Sequence, residues 1–192
     1  MFLFVGLGNP GINYVNNRHN VGFMLVDSLA KHYKAPNFTK KFKSEFTKTT
    51  INSNICMLLK PSTFMNNSGL AVKETKDFFN CPIENIIVFH DEIDINPGQV
   101  KIKKGGGHNG HNGLKSIDQF IGKGYNRVRI GVSRPSKIYQ NNINENISNW
   151  VLSDFSLDDK AKWLDNLIEK MTVNLILLME KEINQFLTNT RQ

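Results

Sequence analysis

Phe2-Leu3-Phe4-Val5-Gly6-Leu7-Gly8-Asn9-Pro10-Gly11 is the stretch on which the reading of this chain turns. Phe2–Leu7 is a short apolar run, and Gly8-Asn9-Pro10-Gly11 stops it. Such a run, bounded by Gly and Pro, reads as a buried first strand feeding a turn. The same residues also fit G-x-G-x-x-G after a strand, the dinucleotide-binding fingerprint. In that motif a helix begins within the glycines and turns its N-terminus to the pyrophosphate. Here Gly11 is followed by Ile12-Asn-Tyr-Val-Asn-Asn-Arg-His-Asn20, which has no apolar periodicity. Asp27, at about the right distance for a ribose-binding acid, falls inside a helical pattern rather than at a strand end. A nucleotide cofactor is therefore not expected.

Working outward, Asn20–Tyr33 carries Val21, Met24, Leu25 and Leu29 at helical spacing, and Ile55–Leu59 reads as a second buried strand ended by Pro61. Asn66–Phe79 reads as a helix and Ile86–Phe89 as a third strand, running into His90-Asp91-Glu92. Gln99–Lys103 alternates like a half-buried strand. A glycine-rich turn follows, then a helix from about Asn112 to Ile121, and Arg127–Val132 alternates again. Strands separated by helices predict a single α/β domain over residues 1–192, with a mixed, mostly parallel central sheet flanked by helices. Residues 136–149 are polar and Asn-rich and read as a loop or short lid. Beyond them, Leu164, Leu167, Met171, Leu175, Leu178 and Phe186 keep helical spacing. They predict one long amphipathic C-terminal helix, or two joined, laid on the sheet.

Composition narrows the class. Of 192 residues, 40% are apolar and 21% charged, which excludes a disordered or collagenous chain. The run Val173–Met179 falls well short of the ~20 residues of a membrane helix. The N-terminus has no basic region ahead of its apolar run, so no signal peptide is expected. Cys56 and Cys81 sit in apolar surroundings and suggest a reducing cytoplasm rather than a disulfide scaffold. The net charge of +7 is uneven: residues 151–192 hold five basic and seven acidic residues, whereas Lys101–Lys137 hold nine basic residues against one acid, Asp118. Charge packed in this way attracts polyanions, a solvated basic surface being the plainer alternative.

Four polar clusters fall at predicted strand ends or in loops. Asn9, Tyr14, His19 and Asn20 leave the first strand, where α/β sheets bind ligands. Pro61-Ser-Thr-Phe-Met-Asn-Asn-Ser-Gly69 leaves the second, although Phe64 and Met65 also suit a core and Asn66 or Asn67 a helix cap. His90-Asp91-Glu92 ends the third. Lys103-Lys-Gly-Gly-Gly-His-Asn-Gly-His-Asn-Gly-Leu-Lys115 lacks the Gly-Lys-Ser/Thr of a P-loop. Its glycines suit close backbone approach, and a flexible loop holds the pair His108 and His111 poorly for a metal. No serine elbow is present, and Cys56 lies where a thiolate is disfavoured. If Asp91 accepts the His19 ring N–H, it fixes the tautomer and leaves the other nitrogen as a base. Without a protein nucleophile, such a pair points to activated water attacking an ester or phosphodiester.

Val5-Gly-Leu-Gly-Asn-Pro-Gly11, Tyr14, Arg18-His-Asn20, Thr63-Phe-Met-Asn66, Ser68-Gly69, His90-Asp-Glu92, Gly105-Gly-Gly-His108 and Gly110-His-Asn-Gly-Leu-Lys115 together resemble the bacterial peptidyl-tRNA hydrolase family, in order and spacing, to about residue 135. The resemblance implies a metal-free, cofactor-free cytoplasmic monomer that hydrolyses the ester joining a peptide to the 3′ end of tRNA. It assigns His19 as general base, Asp91 as its orienter, and Asn9 as the contact that separates peptidyl- from aminoacyl-tRNA. Tyr14, Phe64, Asn66 and Asn112 match tRNA-binding positions, Met65 the peptide cleft, and Lys101, Lys103 and Arg129 the basic surface for the acceptor stem. Asn17 stands where threonine is more usual, and Asn67 where an apolar residue is common. Which amide among Asn9, Asn66 and Asn112 meets the oxyanion is left open. A metal-independent nuclease and a non-catalytic RNA-binding domain are the rival readings.

Overall fold

The opening apolar run becomes β1, Phe2–Gly6, at the middle of a seven-stranded sheet in the order β2-β3-β4-β1-β5-β7-β6. The computed structural model describes residues 1–135 and 143–191. β4 (Asn54–Pro61) and β5 (Ile86–Glu92) flank β1 in parallel, and β7 (Asn126–Gly131) continues the parallel set beyond β5. The edges are antiparallel. β6 (Val100–Lys104) pairs with β7, while β3 (Ser44–Ile51) pairs with β4 and carries β2 (Thr39–Lys41) outside it.

Alternation along the buried strands builds two cores. Leu3 and Val5 point to one face with Met57, Leu59 and Val88, where α2 (Ser68–Phe79) and α3 (Asn112–Ile121) supply Ala71, Val72, Leu114 and Ile117. Phe4 points to the other face with Leu58 and Phe89, under Val21, Leu25 and Leu29 of α1 (Val21–His32). Because α1 and α2 lie on opposite faces, the chain changes side around β1. That is the switch point at which open α/β sheets form a crevice beyond their carboxyl ends.

The early glycines serve packing. A Cβ on Gly6 would collide with the Gly22 carbonyl, and one on Gly8 would lie 2.7 Å from the Phe23 ring. α1 therefore rests almost directly on the β1 backbone and begins at Val21, well past Gly11. This geometry explains the glycine pattern without a pyrophosphate.

Two expectations need correction, and one pair of strands carries no clear signal in the sequence. The β2–β3 hairpin was not anticipated, because Thr39–Ile51 is rich in Lys and Thr. Edge strands carry such residues on their open side. Of the stretch 136–149, read as a loop or short lid, residues 143–149 belong to a helix, α4 (Ile143–Val151); residues 136–142 lie outside the described residues. The C-terminal stripe does pack over α1, but in three pieces: α5 (Leu157–Asp159), a π-helical turn Lys160–Leu164 and α6 (Asp165–Val173) run on without interruption, and α7 (Leu175–Met179) and α8 (Ile183–Asn189) follow. Asn174 and left-handed Lys181 mark the breaks. Among the described residues, no helix is long and apolar enough to cross a membrane.

Candidate active site

Strand ends β1, β4 and β5 open into a cleft of about 720 Å³, lined on one side by Asn9, Tyr14, His19, Phe64, Met65 and Asn66. Asp91, His111 and Asn112 border it, and Ile147, Ser148, Val151 and Leu152, in and just after α4, close it. Asn9 is the hinge of the near wall. Its backbone N–H donates to Asn20 Oδ1 at 2.9 Å, and Asn20 Nδ2 returns a bond to the Asn9 carbonyl at 2.9 Å. This clasp ties the exit of β1 to the 3-10 turn Arg18–Asn20, which carries His19.

The Asn9 side chain is oriented from the neighbouring strand exit. Its Oδ1 accepts the Met65 backbone N–H at 3.0 Å, so the remaining Nδ2 donor is the end available to the cleft. The site thus offers an N–H to a carbonyl oxygen or an oxyanion. Met65 itself is buried against Gly113, whereas Phe64 is exposed and lines the cleft, so Phe64 is not a core residue. Asn66 does not cap α2 with its side chain and neither does Asn67.

Asp91 emerges buried at the end of β5, and one of its oxygens takes two imidazole donors. His19 Nδ1 lies 2.8 Å from Oδ1, and His111 Nε2 lies 3.1 Å from the same atom. The tautomers follow from the network. His111 Nδ1 accepts from the backbone N–H groups of Gly113 and Leu114 as the N-cap of α3, so it carries no proton, and Nε2–H faces Asp91. Asp91, a carboxylate, takes the His19 Nδ1–H and leaves the His19 Nε2 lone pair free to act as a base. Burial lowers the His19 pKa, but the Asp91 charge and hydrogen bond outweigh it, and the net shift is upward. Burial would raise the Asp91 pKa; the facing His19 and His111 rings reverse this and hold it far below the carboxylate range. Next door, His90 is wholly buried, donates from Nδ1 to the Asp91 carbonyl at 2.7 Å, and is pushed down to about 3 by burial and the nearby His111. It is therefore neutral.

The donor atoms of His19, Asp91 and His111 all lie within 4.8 Å of one another, a spacing that an ion could bridge. Such an ion would need the His111 Nε2 lone pair while Nδ1 keeps its own for the cap. The ring would have to become an imidazolate or give up the helix terminus. The donor set fits a hydrogen-bonded triad. His108 is not part of it: its Nδ1 accepts from Gly110 N–H in the exposed loop.

Lys101, Lys103 and Arg129 lie outside the cleft; of the described basic residues in the stretch Lys101–Lys137, Arg134 lines it and pairs with Asp94 at 2.7 Å. Lys101 and Lys103 are exposed on edge strand β6, paired across the ladder with Arg129 and Arg127. Arg129 binds Glu92 Oε2 through Nε at 3.0 Å and Nη2 at 2.9 Å. Its charge is thus engaged internally. Two contributors were missed in the sequence. His111 was weighed only as a metal partner of His108, although its position just before a helix marked it as a cap. The α4 wall lay hidden in an Asn-rich segment.

The family model described as peptidyl-tRNA hydrolase matches residues 3–192. The peptidyl-tRNA hydrolase of Beijerinckia indica is 45% identical over 186 residues, covering 97% of this chain and 90% of its own length. That of Aliarcobacter butzleri is 48% identical over 176 residues, covering 92% and 90%. The crystal structure of peptidyl-tRNA hydrolase from Acinetobacter baumannii superposes with a TM-score of 0.89 at 35% identity, covering 100% of this chain and 94% of that one.

Proposed function

The chain belongs to the peptidyl-tRNA hydrolase family and hydrolyses peptidyl-tRNA, and from that premise we propose how its residues divide the work. His19 is the general base: Nε2 takes a proton from water as the water oxygen attacks the ester carbonyl carbon. Asp91, 2.8 Å from Nδ1, keeps the ring in the required tautomer and stabilises the imidazolium that forms. As the ester C–O bond breaks, the imidazolium returns its proton to the departing ribose oxygen. Asn9 Nδ2 donates to the carbonyl oxygen as it gains charge. A donor in that place is worth about 3–4 kcal/mol of transition-state stabilisation. The observation that carries this reading is the fixed orientation of both groups: His19 is held by Asp91 and Asn9 by the Met65 N–H.

In the same proposal, Tyr14, Phe64, Asn66 and Asn112 bind the tRNA 3′ end, and Met65 lines the path of the peptide. Lys101 and Lys103 hold acceptor-stem phosphates, which positions RNA without reading its sequence and suits an enzyme that accepts many tRNAs. The enzyme works as a cytoplasmic monomer over one domain of residues 1–192. The test is incubation with N-acetyl-aminoacyl-tRNA while both the aminoacyl label and the RNA length are followed. Released label with intact RNA is expected. Shortened RNA would select a nuclease, and neither change would select a binding module.

A further inference from the structure

Arg18 stands next to the base, is only 7% exposed, and has no part in the chemistry above. Its Nη1 donates to the Ser153 Oγ at 2.7 Å, to the Asp154 carbonyl at 2.7 Å and to the Ser153 carbonyl at 3.2 Å. Nη2 pairs with Asp159 at 3.2 Å, and the guanidinium carbon lies 3.7 Å from the centroid of the Trp150 ring. The Arg18 backbone N–H adds a bond to the Ser153 carbonyl at 3.1 Å, and Asn17 Nδ2 reaches Asp154 Oδ1 at 2.7 Å. These partners lie in the last turn of α4 (Trp150), in the segment that follows it (Ser153 and Asp154) and in α5 (Asp159). A planar cation with several fixed donors suits this arrangement, because it satisfies the carbonyls just past a helix end while stacking on an aromatic ring. Trp150 is held from its far side, its Nε1 donating to the Ser133 carbonyl at 2.7 Å. Its neighbours on either side in the chain, Ile147, Ser148, Val151 and Leu152, line the same cleft as Asn9.

We infer that Arg18 is a positioning residue for substrate affinity: it sets the distance between the α4 wall and the catalytic turn, so that substrate is gripped between them. The inference rests on the hydrolase reading for its substrate. It separates affinity from chemistry, because the His19–Asp91 bond does not pass through the guanidinium.

The test compares wild type with Arg18→Ala, Arg18→Lys, Trp150→Ala and the Arg18→Ala/Trp150→Ala double variant. The readouts are kcat and KM on N-acetyl-aminoacyl-tRNA, and Kd for an amide-linked, non-hydrolysable analogue by filter binding. Arg18→Ala should raise KM and Kd by about 10-fold or more, the scale of losing charge-assisted hydrogen bonds. Its kcat should stay within about threefold of wild type, as expected when only uniform binding is removed. The acid limb of its pH–rate profile should not move. Trp150→Ala should reproduce the affinity loss, and the double variant should be no worse than the worse single one, since both act by holding the same α4 wall. Added guanidinium should restore KM in Arg18→Ala. If Arg18→Ala does not fold, Arg18→Lys, which keeps the charge but not the fork, and Trp150→Ala decide the matter by the same affinity criterion. A lowered melting temperature with unchanged KM and Kd would make Arg18 a structural pin and overturn the inference. A fall in kcat at constant Kd would overturn it too, by placing the effect on His19. Wild type that binds the analogue but releases no label would sink the hydrolase reading and leave the Arg18 comparison standing on Kd.

Discussion

A single carboxylate oxygen that takes two imidazole donors makes the base at this site unusually sensitive to its partner. His19 is active when neutral, so its raised pKa means that turnover falls as pH drops through a value above 6.5. Replacing Asp91 with Asn keeps an oxygen able to accept both N–H groups but removes the charge. Burial, which lowers the His19 pKa, is then unopposed, and the acid limb of kcat/KM should move to lower pH. The maximum rate should fall as well, because the imidazolium formed during reaction loses its counter-charge. His19→Ala should cost more, about 10²–10⁴-fold for the base alone, with melting behaviour near that of wild type. A pH–rate profile in Asp91→Asn superimposable on wild type would reduce Asp91 to a strand-end residue. Asn9 is the second residue-scale test. A free aminoacyl-tRNA carries an ammonium where peptidyl-tRNA has an amide. An N–H donor aimed into the cleft suits the amide carbonyl and gives the ammonium no acceptor, so the charge is desolvated without compensation. Asn9→Asp should therefore shift the ratio of kcat/KM for N-acetylated over unblocked substrate towards the unblocked one, by more than Asn9→Ala does. Equal losses on both substrates would assign Asn9 to oxyanion stabilisation alone.

Whole elements depend on residues that serve two ends at once, and His111 is the plainest case. One nitrogen caps α3 and the other faces Asp91. His111→Asn should separate the two duties, because Asn is a good N-cap but too short to reach the carboxylate. Thermal stability should stay close to wild type, whereas His111→Ala should lose roughly 1 kcal/mol of capping. In both variants Asp91 loses a donor, holds its negative charge less tightly, and draws the His19 proton more strongly. The acid limb should then move to higher pH, opposite to Asp91→Asn. A limb that stays in place in His111→Asn would confine His111 to its cap. The same doubling explains what could be read in the sequence. β1, β4, β5, α1, α2 and α3 were legible because each buries a continuous run or a periodic face. Asn9, His19 and Asp91 were legible because those strands place them at one end of the sheet. The β2–β3 hairpin and α4 were not, since their outward residues are Lys, Thr and Asn, which look like loop. Arg18 and His111 could not be ranked, because their importance lies in partners distant in the chain, Ser153 and Asp159 for one and Asp91 for the other.

Across the whole molecule the basic surplus resolves into charges that build the protein and charges left to face a polyanion. Arg127 is buried, pairs with Asp118 at 2.6 Å and donates to the Gly107 carbonyl at 2.8 Å, so it anchors the glycine loop. Arg129 is engaged by Glu92. Lys101, Lys103 and Lys104 remain on the open edge of the sheet, with Lys115 and Lys123 also exposed. Lysines on an edge strand have a bland use, since they discourage pairing with another chain. The dependence of binding on salt separates that use from RNA recognition. Each phosphate contact releases bound counterions, so its loss flattens the plot of log affinity against log salt by roughly 0.7–0.9. Lys103→Ala should produce that change and raise KM without altering kcat. Arg129→Ala should instead lower stability, because it strands a buried Glu92, and should change the slope less. If Lys103→Ala keeps the wild-type slope while Arg129→Ala flattens it, the Glu92 pair must open when tRNA binds, and the phosphate path runs over β7 rather than along the edge.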